Sequence, residues 1–457
     1  MADLTFDEWR QIGAGKLDAQ TSRAAYYQNY YDCENVVTAL MDSEERTNFR
    51  TFLKESRANW SELVVNAVAE RLQVVGFRFG PGNASGSHAW EIWQASGLDA
   101  DGELAQTDAL VCASSFVLVN LDEDNLTGVT ISVESPFEAC VLYQPGNRRK
   151  RVAGYKRYSL GSKTTQVLIL PDVIATWYPD EPEPEVLANP TGIVNLVEMQ
   201  PQPRSTRPPR SELHSAVHFQ DRINTTIFNR LVATDYGAFR QIWATGVKLA
   251  REILTFDDGT TKVNVVKPFD VGANRLLTNE NPDARFGSFT ESTLRGYLDA
   301  VSQDVEQLAA ITQTPPHYLL GSMVNLSADA IKAAEAGLVS KVSRRALHIG
   351  EAWEEVMRIA LALTGDPNAG DVAAEVVWKD FETRSEAQLV DALTKMATLG
   401  VPTEVLWQKW GATPQEIEQW KQLKANEGAQ TALNQAVALG ASDPYAALMA
   451  GGSGATG

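Results

Sequence analysis

Cysteine is scarce: Cys33, Cys112 and Cys140 are the only three in 457 residues. They stand far apart, in no metal-ligand or redox spacing, so reduced buried thiols of a cytosolic protein are expected. Histidine is nearly as rare, with five copies. Only His214 and His218 fall one helical turn apart, with no Glu between them in the zincin pattern and no third ligand evident, so no metal site is expected. No run approaches the roughly eighteen apolar residues of a membrane span. Residues 1–10 are acidic and lack the apolar core of a signal peptide, so neither export nor membrane insertion is expected.

Catalytic motifs are missing as well. Gly13-Ala14-Gly15-Lys16-Leu17 lacks the first glycine spacing and the hydroxyl residue that a phosphate loop needs. Gly80-x-Gly82 does not follow a strand and open a helix, as a dinucleotide fingerprint must. No Gly-x-Ser-x-Gly elbow exists, and Asp122-Glu123-Asp124-Asn125 lacks the glycine and distal glutamate of a calcium loop. The expectation is a protein without catalytic residues, cofactor or metal. Positive charge is also short: 40 Lys and Arg against 58 Asp and Glu give a net charge of −18. Domains that grip DNA through its phosphates are usually basic, so tight phosphate binding is not expected.

What the chain does have is concentrated between Thr312 and Gly365. A proline-stiffened apolar loop, Thr314-Pro315-Pro316-His317-Tyr318-Leu319-Leu320-Gly321, is followed by Ser322-Met323-Val324-Asn325-Leu326. Ser327 then caps a helix, with Asp329 against the positive end of its dipole. Ile331, Leu338, Val342, Ala346, Ile349, Trp353, Val356, Ala360 and Leu363 recur at the three-and-four spacing of one buried face, and nothing ends the pattern before Gly365. Such a helix is roughly 55 Å long. An apolar loop feeding a helix of that length points to an assembly part rather than a catalytic pocket.

Along the rest of the chain, helices are expected over 43–52, 59–72 and 90–97, with 107–119 running from helix into strand. Strands are expected at 129–133, 139–143, 148–158, 165–170 and 174–178. The Pro-rich acidic stretch 179–190 reads as a solvated loop. A second Pro-rich linker, 201–209, closes this part. Ser211 caps a long helix that carries Glu212 in its first turn and ends near Phe239. Short strands at 242–244, 252–256 and 263–266 follow, with a turn at Asp257-Asp258-Gly259, and then a helix over 291–312. After the long helix come a strand at 374–378 and short helices at 385–399, 402–410 and 414–423. Beyond Asn426 the sequence is rich in Ala and Gly and is expected to be disordered. Lys248, Arg251, Lys262, Lys267 and Arg275 give the segment 241–289 a locally basic balance, facing DNA or an acidic partner, or simply solvent beside Asp257, Asp258 and Asp270.

The ordered series Thr314, Pro315, Gly321, Asn325, Ser327, Ala328, Ala330, Lys341 and Trp353 resembles the portal proteins of long-tailed (siphovirus-type) bacteriophages, in particular those of actinobacterial phages. Asn59, Val65, Arg71-Leu72, Gly76-Phe77-Arg78, Gln220-Asp221 and Asn224 extend it, from about Tyr26 to about Trp420. The chain departs from the family at Cys112-Ala113-Ser114, where relatives commonly carry Gly before the strand, and matches it least over 241–288. The resemblance implies an α+β portal fold. Its parts would be an α/β wing (1–210), stem helix 1 (211–240), a small α/β clip (241–289), stem helix 2 (290–312), and a tunnel loop (313–326). A long wing helix with its returning strand (327–384), a helical crown (385–426) and a tail (427–457) would complete it. The tunnel-loop residues would be Gln313, Thr314, Pro315, Pro316, Leu319, Leu320, Met323, Val324, Asn325 and Leu326.

The resemblance further implies a homo-oligomer of twelve copies at one capsid vertex, in the virion and, during assembly, in the host cytoplasm. Double-stranded DNA would pass through it without sequence specificity. Its partners would be the terminase large subunit, the major capsid and scaffold proteins, and head-completion (adaptor) proteins, with no membrane. The acidity suits passage rather than adhesion, since twelve copies each of charge −18 make a weakly repelling wall. Two other readings stand beside it: a head scaffold or head-completion protein without a channel, and a cytosolic α/β enzyme of unrecognised motif.

Overall fold

The computed structural model describes residues 4–35, 50–79, 86–238, 242–246, 251–255, 261–265, 282–288, 293–321, 328–382, 386–412 and 414–438. The chain divides into two units: one of residues 1–35, 59–220 and 306–457, the other of 36–58 and 221–305. Helices and strands are mixed throughout, an α+β arrangement.

The larger unit opens with α1 (Phe6–Tyr31), in a region where no helix is expected from the sequence. A capping box starts it: the Thr5 N–H donates to the Glu8 carboxylate at 2.8 Å and the Glu8 N–H donates to the Thr5 hydroxyl at 3.3 Å. The buried positions of α1 are Trp9, Gly13, Leu17, Gln20, Ala24, Tyr27 and Tyr30, a helical stripe in which Gly, Gln and Ala replace the usual aliphatics. That substitution hides the stripe from a hydrophobic count. Gly13 is there because a Cβ would stand 2.6 Å from Cγ of the Tyr155 ring. Gln20 earns burial by donating to the carbonyls of Pro136 and Ala139 at 2.7 and 2.9 Å.

Beneath α1 lies a five-stranded antiparallel sheet. It is formed by β4 (Ala139–Gln144), β5 (Asn147–Leu160), β6 (Lys163–Ile169), β7 (Val173–Trp177) and β8 (Glu185–Ala188), in that order. The 179–190 stretch is therefore not all loop. After Pro184 the backbone pairs with β7, Val173 opposite Ala188 and Thr176 opposite Glu185, because an edge strand needs only one hydrogen-bonded side. A three-stranded sheet is ordered β3 (Val129–Glu134), β2 (Ser115–Leu121), β9 (Leu196–Met199). Residues 115–119 of β2 are all buried, as suits a central strand. Strand β9, which no sequence pattern announces, is paired with β2 through Val117 opposite Val197.

Helices α3 (Trp60–Ala69), α4 (Ser87–Ala95) and α5 (Leu98–Cys112) complete this part. The long helix α9 (Ala328–Leu363) runs 36 residues without a break. Its buried stripe Leu338, Val342, Ala346, Ile349, Trp353, Val356 and Ala360 is the one its sequence spacing requires. Trp353 is fully buried and meets Trp93 edge to face at 4.9 Å between ring centroids. Strand β14 (Glu375–Trp378) then returns to pair antiparallel with β1 (Val74–Arg78). Near the C-terminus stand α10 (Glu386–Thr398), α11 (Thr403–Trp410) and α12 (Pro414–Ala438). The last corrects the expectation of disorder from Asn426: its Ala, Gln, Glu and Leu favour helix and carry α12 to Ala438. Residues 439–457 lie outside the described residues. All three cysteines are free thiols, Cys112 and Cys140 buried and Cys33 partly so.

The smaller unit contains α2 (Arg50–Glu55), most of α6 (Val217–Ala238) and the first part of α7 (Arg295–Thr312). It also holds two antiparallel pairs: β10 (Ile242–Thr245) with β13 (Arg285–Ser288), and β11 (Arg251–Thr255) with β12 (Thr261–Val265). Arg222 on α6 and Asp304 on α7 form an ion pair at 2.7 Å. The expected turn at 257–259 and most of the expected helix at 43–52 lie outside the described residues. Among the described residues no helix is long and apolar enough to cross a membrane.

Candidate functional site

The segment singled out by the sequence leaves α7 through a tight, hydrogen-bonded exit. The Thr312 hydroxyl donates to the Leu308 carbonyl at 2.7 Å and accepts from the Thr314 hydroxyl at 3.1 Å, and both threonines are buried. Gln313 takes a left-handed φ of 53°, which turns the chain. The stretch expected to be loop from Thr314 to Gly321 instead contains a short helix, α8 (Pro316–Leu320). Pro316 sits in its first turn, where the missing N–H costs nothing, and Gly321 ends it at φ 63°. Leu319 is buried, while Tyr318 and Leu320 are exposed. The Leu319 carbonyl accepts from Trp60 Nε1 at 3.2 Å, fixing α8 against the start of α3.

Of the loop residues predicted from the sequence, Gln313, Thr314, Pro315, Pro316, Leu319 and Leu320 are therefore brought together. Met323, Val324, Asn325 and Leu326 lie outside the described residues. Of the basic residues between 241 and 289, Arg251 opens β11 opposite Val265, and Lys262 stands in β12 opposite Leu254. Lys248, Lys267 and Arg275 lie outside the described residues.

A buried ionic cluster grips the base of this turn. Lys341 on α9 donates to the Thr312 carbonyl at 2.7 Å and pairs with Glu212 at 3.1 Å. Arg345, one turn further along, binds the other oxygen of Glu212 at 2.9 Å, and Gln202 donates to that oxygen at 3.0 Å. Glu212 is 7% and Lys341 2% exposed. Burial by itself would raise the Glu212 carboxyl; the charges of Lys341 and Arg345 outweigh it and hold the group below its ordinary value. Further along, Arg344 donates to the Gln313 side chain at 3.1 Å, and Arg71 donates to the Tyr318 hydroxyl at 2.9 Å while pairing with Glu335 at 3.5 Å. The exit from α7, the approach to α6 and the long helix are thus tied at one point.

Sequence reading missed this cluster. It took Glu212 as a first-turn acid of one long helix. In the structure Ser211 caps only a 3-10 turn, Glu212–Ser215, accepting from the Leu213 N–H at 3.0 Å, and α6 begins afresh at Val217. The tighter turn points the Glu212 side chain inward to its cations.

The rejected sites have plain roles. His214 meets the Tyr27 hydroxyl at 3.0 Å, and no group of three metal-binding side chains occurs among the described residues. Asp122 accepts from the Thr130 hydroxyl at 2.6 Å within a surface turn. Lys16 lies inside α1, over the Tyr143 ring.

Among the described residues the site is therefore a turn and a short helix tied to the long helix α9 by a buried ionic cluster. Residues 15–430 match the model of the family "Phage portal protein, SPP1 Gp6-like", and the chain belongs to that family. It is similar to the portal protein of Mycobacterium phage L5, 28% identical over 417 residues that cover 88% of this chain and 85% of the relative. It is also similar to the portal protein of Mycobacterium phage D29, 29% identical over 393 residues covering 82% and 80%. Among solved structures, a chain from the neck of an empty GTA particle computed with C6 symmetry is similar at TM-score 0.44 and 12% identity, over 81% of this chain and 92% of that one. A chain from the neck of the native GTA particle computed with C12 symmetry is similar at TM-score 0.44 and 10% identity, over 82% and 96%. Portal proteins are structural components of the particle, forming a ring at a capsid vertex.

Proposed function

We propose that twelve copies of this chain form the portal ring of a long-tailed phage, the channel through which DNA enters and leaves the head. The observation that carries the reading is a 36-residue helix whose entry turn is clamped by a buried ionic cluster, in a chain matched to the portal family over residues 15–430. In this reading the larger unit supplies wing and crown, α6 and the start of α7 are the stem helices, and β10 to β13 belong to the clip. Residues 313–326 are the tunnel loop, leading from the anchored turn after α7 to the start of α9. An apolar loop yields to passing DNA without pairing to phosphates, and a net charge of −18 per chain keeps the wall from acting as a brake.

Clip cations, Lys248, Arg251, Lys262, Lys267 and Arg275 among them, face DNA or the acidic surface of a partner at the narrow exit. The terminase large subunit docks there during packaging and head-completion proteins replace it afterwards, while capsid and scaffold proteins hold the ring in the vertex. The chain works in the host cytoplasm during assembly and in the virion afterwards, and has no catalytic function of its own. The test is a deletion of Met323 to Asn325, followed by ring formation and DNA packaged per particle in infected cells. Normal rings with impaired packaging are expected. Normal packaging would make the segment a mere connector, and loss of rings would make it a subunit contact.

A further inference from the structure

One concavity in the larger unit runs against the charge of the whole chain. It encloses about 580 Å³ and is lined by eight Lys and Arg side chains against three Glu, in a protein of net charge −18. Its walls come from α1, the β4–β5 hairpin, the Pro-rich segment after β9, and α9. Two of the glutamates are occupied: Glu355 binds Arg151 at 2.6 Å and Arg358 at 2.9 Å, and Glu351 stands 3.8 Å from Arg149. Among the described residues Arg23, Arg148 and Arg207 have no carboxylate partner, and the Nε of Arg23 is buried without a hydrogen bond. Cations gathered this closely, and left unpaired, are arranged for an anion from outside.

The same sheet carries the complementary feature. Between β7 and β8 runs Pro179-Asp180-Glu181-Pro182-Glu183-Pro184-Glu185, in which every acidic residue is exposed. Asp180 pairs with Lys163 and Glu185 accepts from the Tyr178 hydroxyl at 3.2 Å, while Glu181 and Glu183 are exposed and have no side-chain partner among the described residues. The prolines hold the segment extended and narrow. Strand order puts β4 and β8 at opposite edges of the sheet, roughly 19 Å apart at ordinary strand spacing. Along β5, the distance from the arginines at its start to Leu160, beside Lys163 and Asp180, is about 35 Å. A chain cannot reach its own cleft with its own hairpin.

We infer that the acidic β7–β8 hairpin of one copy docks into the basic cleft of the next, so that Glu181 and Glu183 meet Arg23, Arg148 and Arg207 across the subunit boundary. A closed ring of head-to-tail contacts requires two different, complementary surfaces on opposite sides of each subunit, and the sheet presents one at each corner. The cleft is on the scale of a small-ligand or peptide site, too narrow to seat a double helix. This inference rests on the ring proposed above.

The experiment uses charge reversal at exposed positions of the full chain: Glu181→Lys with Glu183→Lys, and Arg148→Glu with Arg207→Glu, each checked by circular dichroism for an unchanged fold. Ring content is measured by mass photometry and negative-stain microscopy. Each double variant alone should need at least about tenfold more protein for half-assembly, because like charges then face each other. Mixing the two variants should restore rings, with the species alternating, and so should combining all four changes in one chain. Rings formed equally well by every variant would overturn the docking while leaving the ring itself standing. A wild type that forms no rings would remove the ring and the docking with it. Rings unaffected while short duplex DNA binds the wild type and not the Arg148→Glu/Arg207→Glu variant would show a nucleic-acid surface instead, also overturning the inference.

Discussion

Replacing Glu212 by Gln takes one charge out of a largely buried cluster. Lys341, 2% exposed, and Arg345 would both lose their carboxylate, since the amide oxygen accepts without charge and the amide NH2 turns a donor toward a cation. Removing one partner of a buried ion pair leaves the other charge uncompensated and costs about 3–5 kcal/mol. Asp391→Asn is the control, since it breaks the Lys395–Asp391 pair at 2.7 Å, whose side chains are 73% and 65% exposed. An exposed i,i+4 pair is worth about 0.5 kcal/mol or less. Because the chain has two units, global melting is a poor readout, and amide hydrogen exchange at the end of α7, α8 and the middle of α9 is the assay.

Glu212→Gln should accelerate exchange there by roughly 100-fold or more, and Asp391→Asn should leave it unchanged. The pH dependence has a definite sign. Glu212 is held below its ordinary value in the folded chain, so its contribution is complete above the ordinary glutamate range and fades as pH falls through the folded value. The wild type's advantage over Glu212→Gln should therefore be full at neutral pH and shrink in acid. Equal exchange in the two variants at neutral pH would refute the idea that this cluster anchors the turn.

Two further substitutions probe the packing around it. Trp353→Ala empties the largest fully buried side-chain site, where the ring also meets Trp93, and should lower stability by about 3–5 kcal/mol in denaturant titrations of the larger unit. Gly13→Ala puts a Cβ 2.6 Å from the Tyr155 ring and should cost about 1–3 kcal/mol by overpacking, read from the same titration.

The sequence made α9 legible because its buried stripe is built from large aliphatics and one tryptophan at regular spacing. Strands β3 to β7 were legible for a related reason, alternation bounded by turn residues. Helix α1 was not, since its inward face spends Gly13, Gln20 and Ala24 on close approach and hydrogen bonding rather than on apolar bulk. Strand β8 was hidden by prolines that belong to the hairpin before it, and β9 by its brevity. The Pro316–Leu320 helix was read as loop because two prolines in sequence suggest a break, although at a helix start they are well placed. The site's anchor could not be read at all. Glu212, Thr312 and Lys341 are distant in sequence, each looks ordinary where it stands, and only the fold puts a carboxylate, a carbonyl and an ammonium within about hydrogen-bond reach of one another.

The central claim is the ring, and the most direct measurement is negative-stain microscopy of the purified full-length chain together with its mass in solution. The account predicts closed rings with a central hole and a mass near twelve times 50.0 kDa. A monodisperse monomer of 50.0 kDa across micromolar concentrations would contradict it.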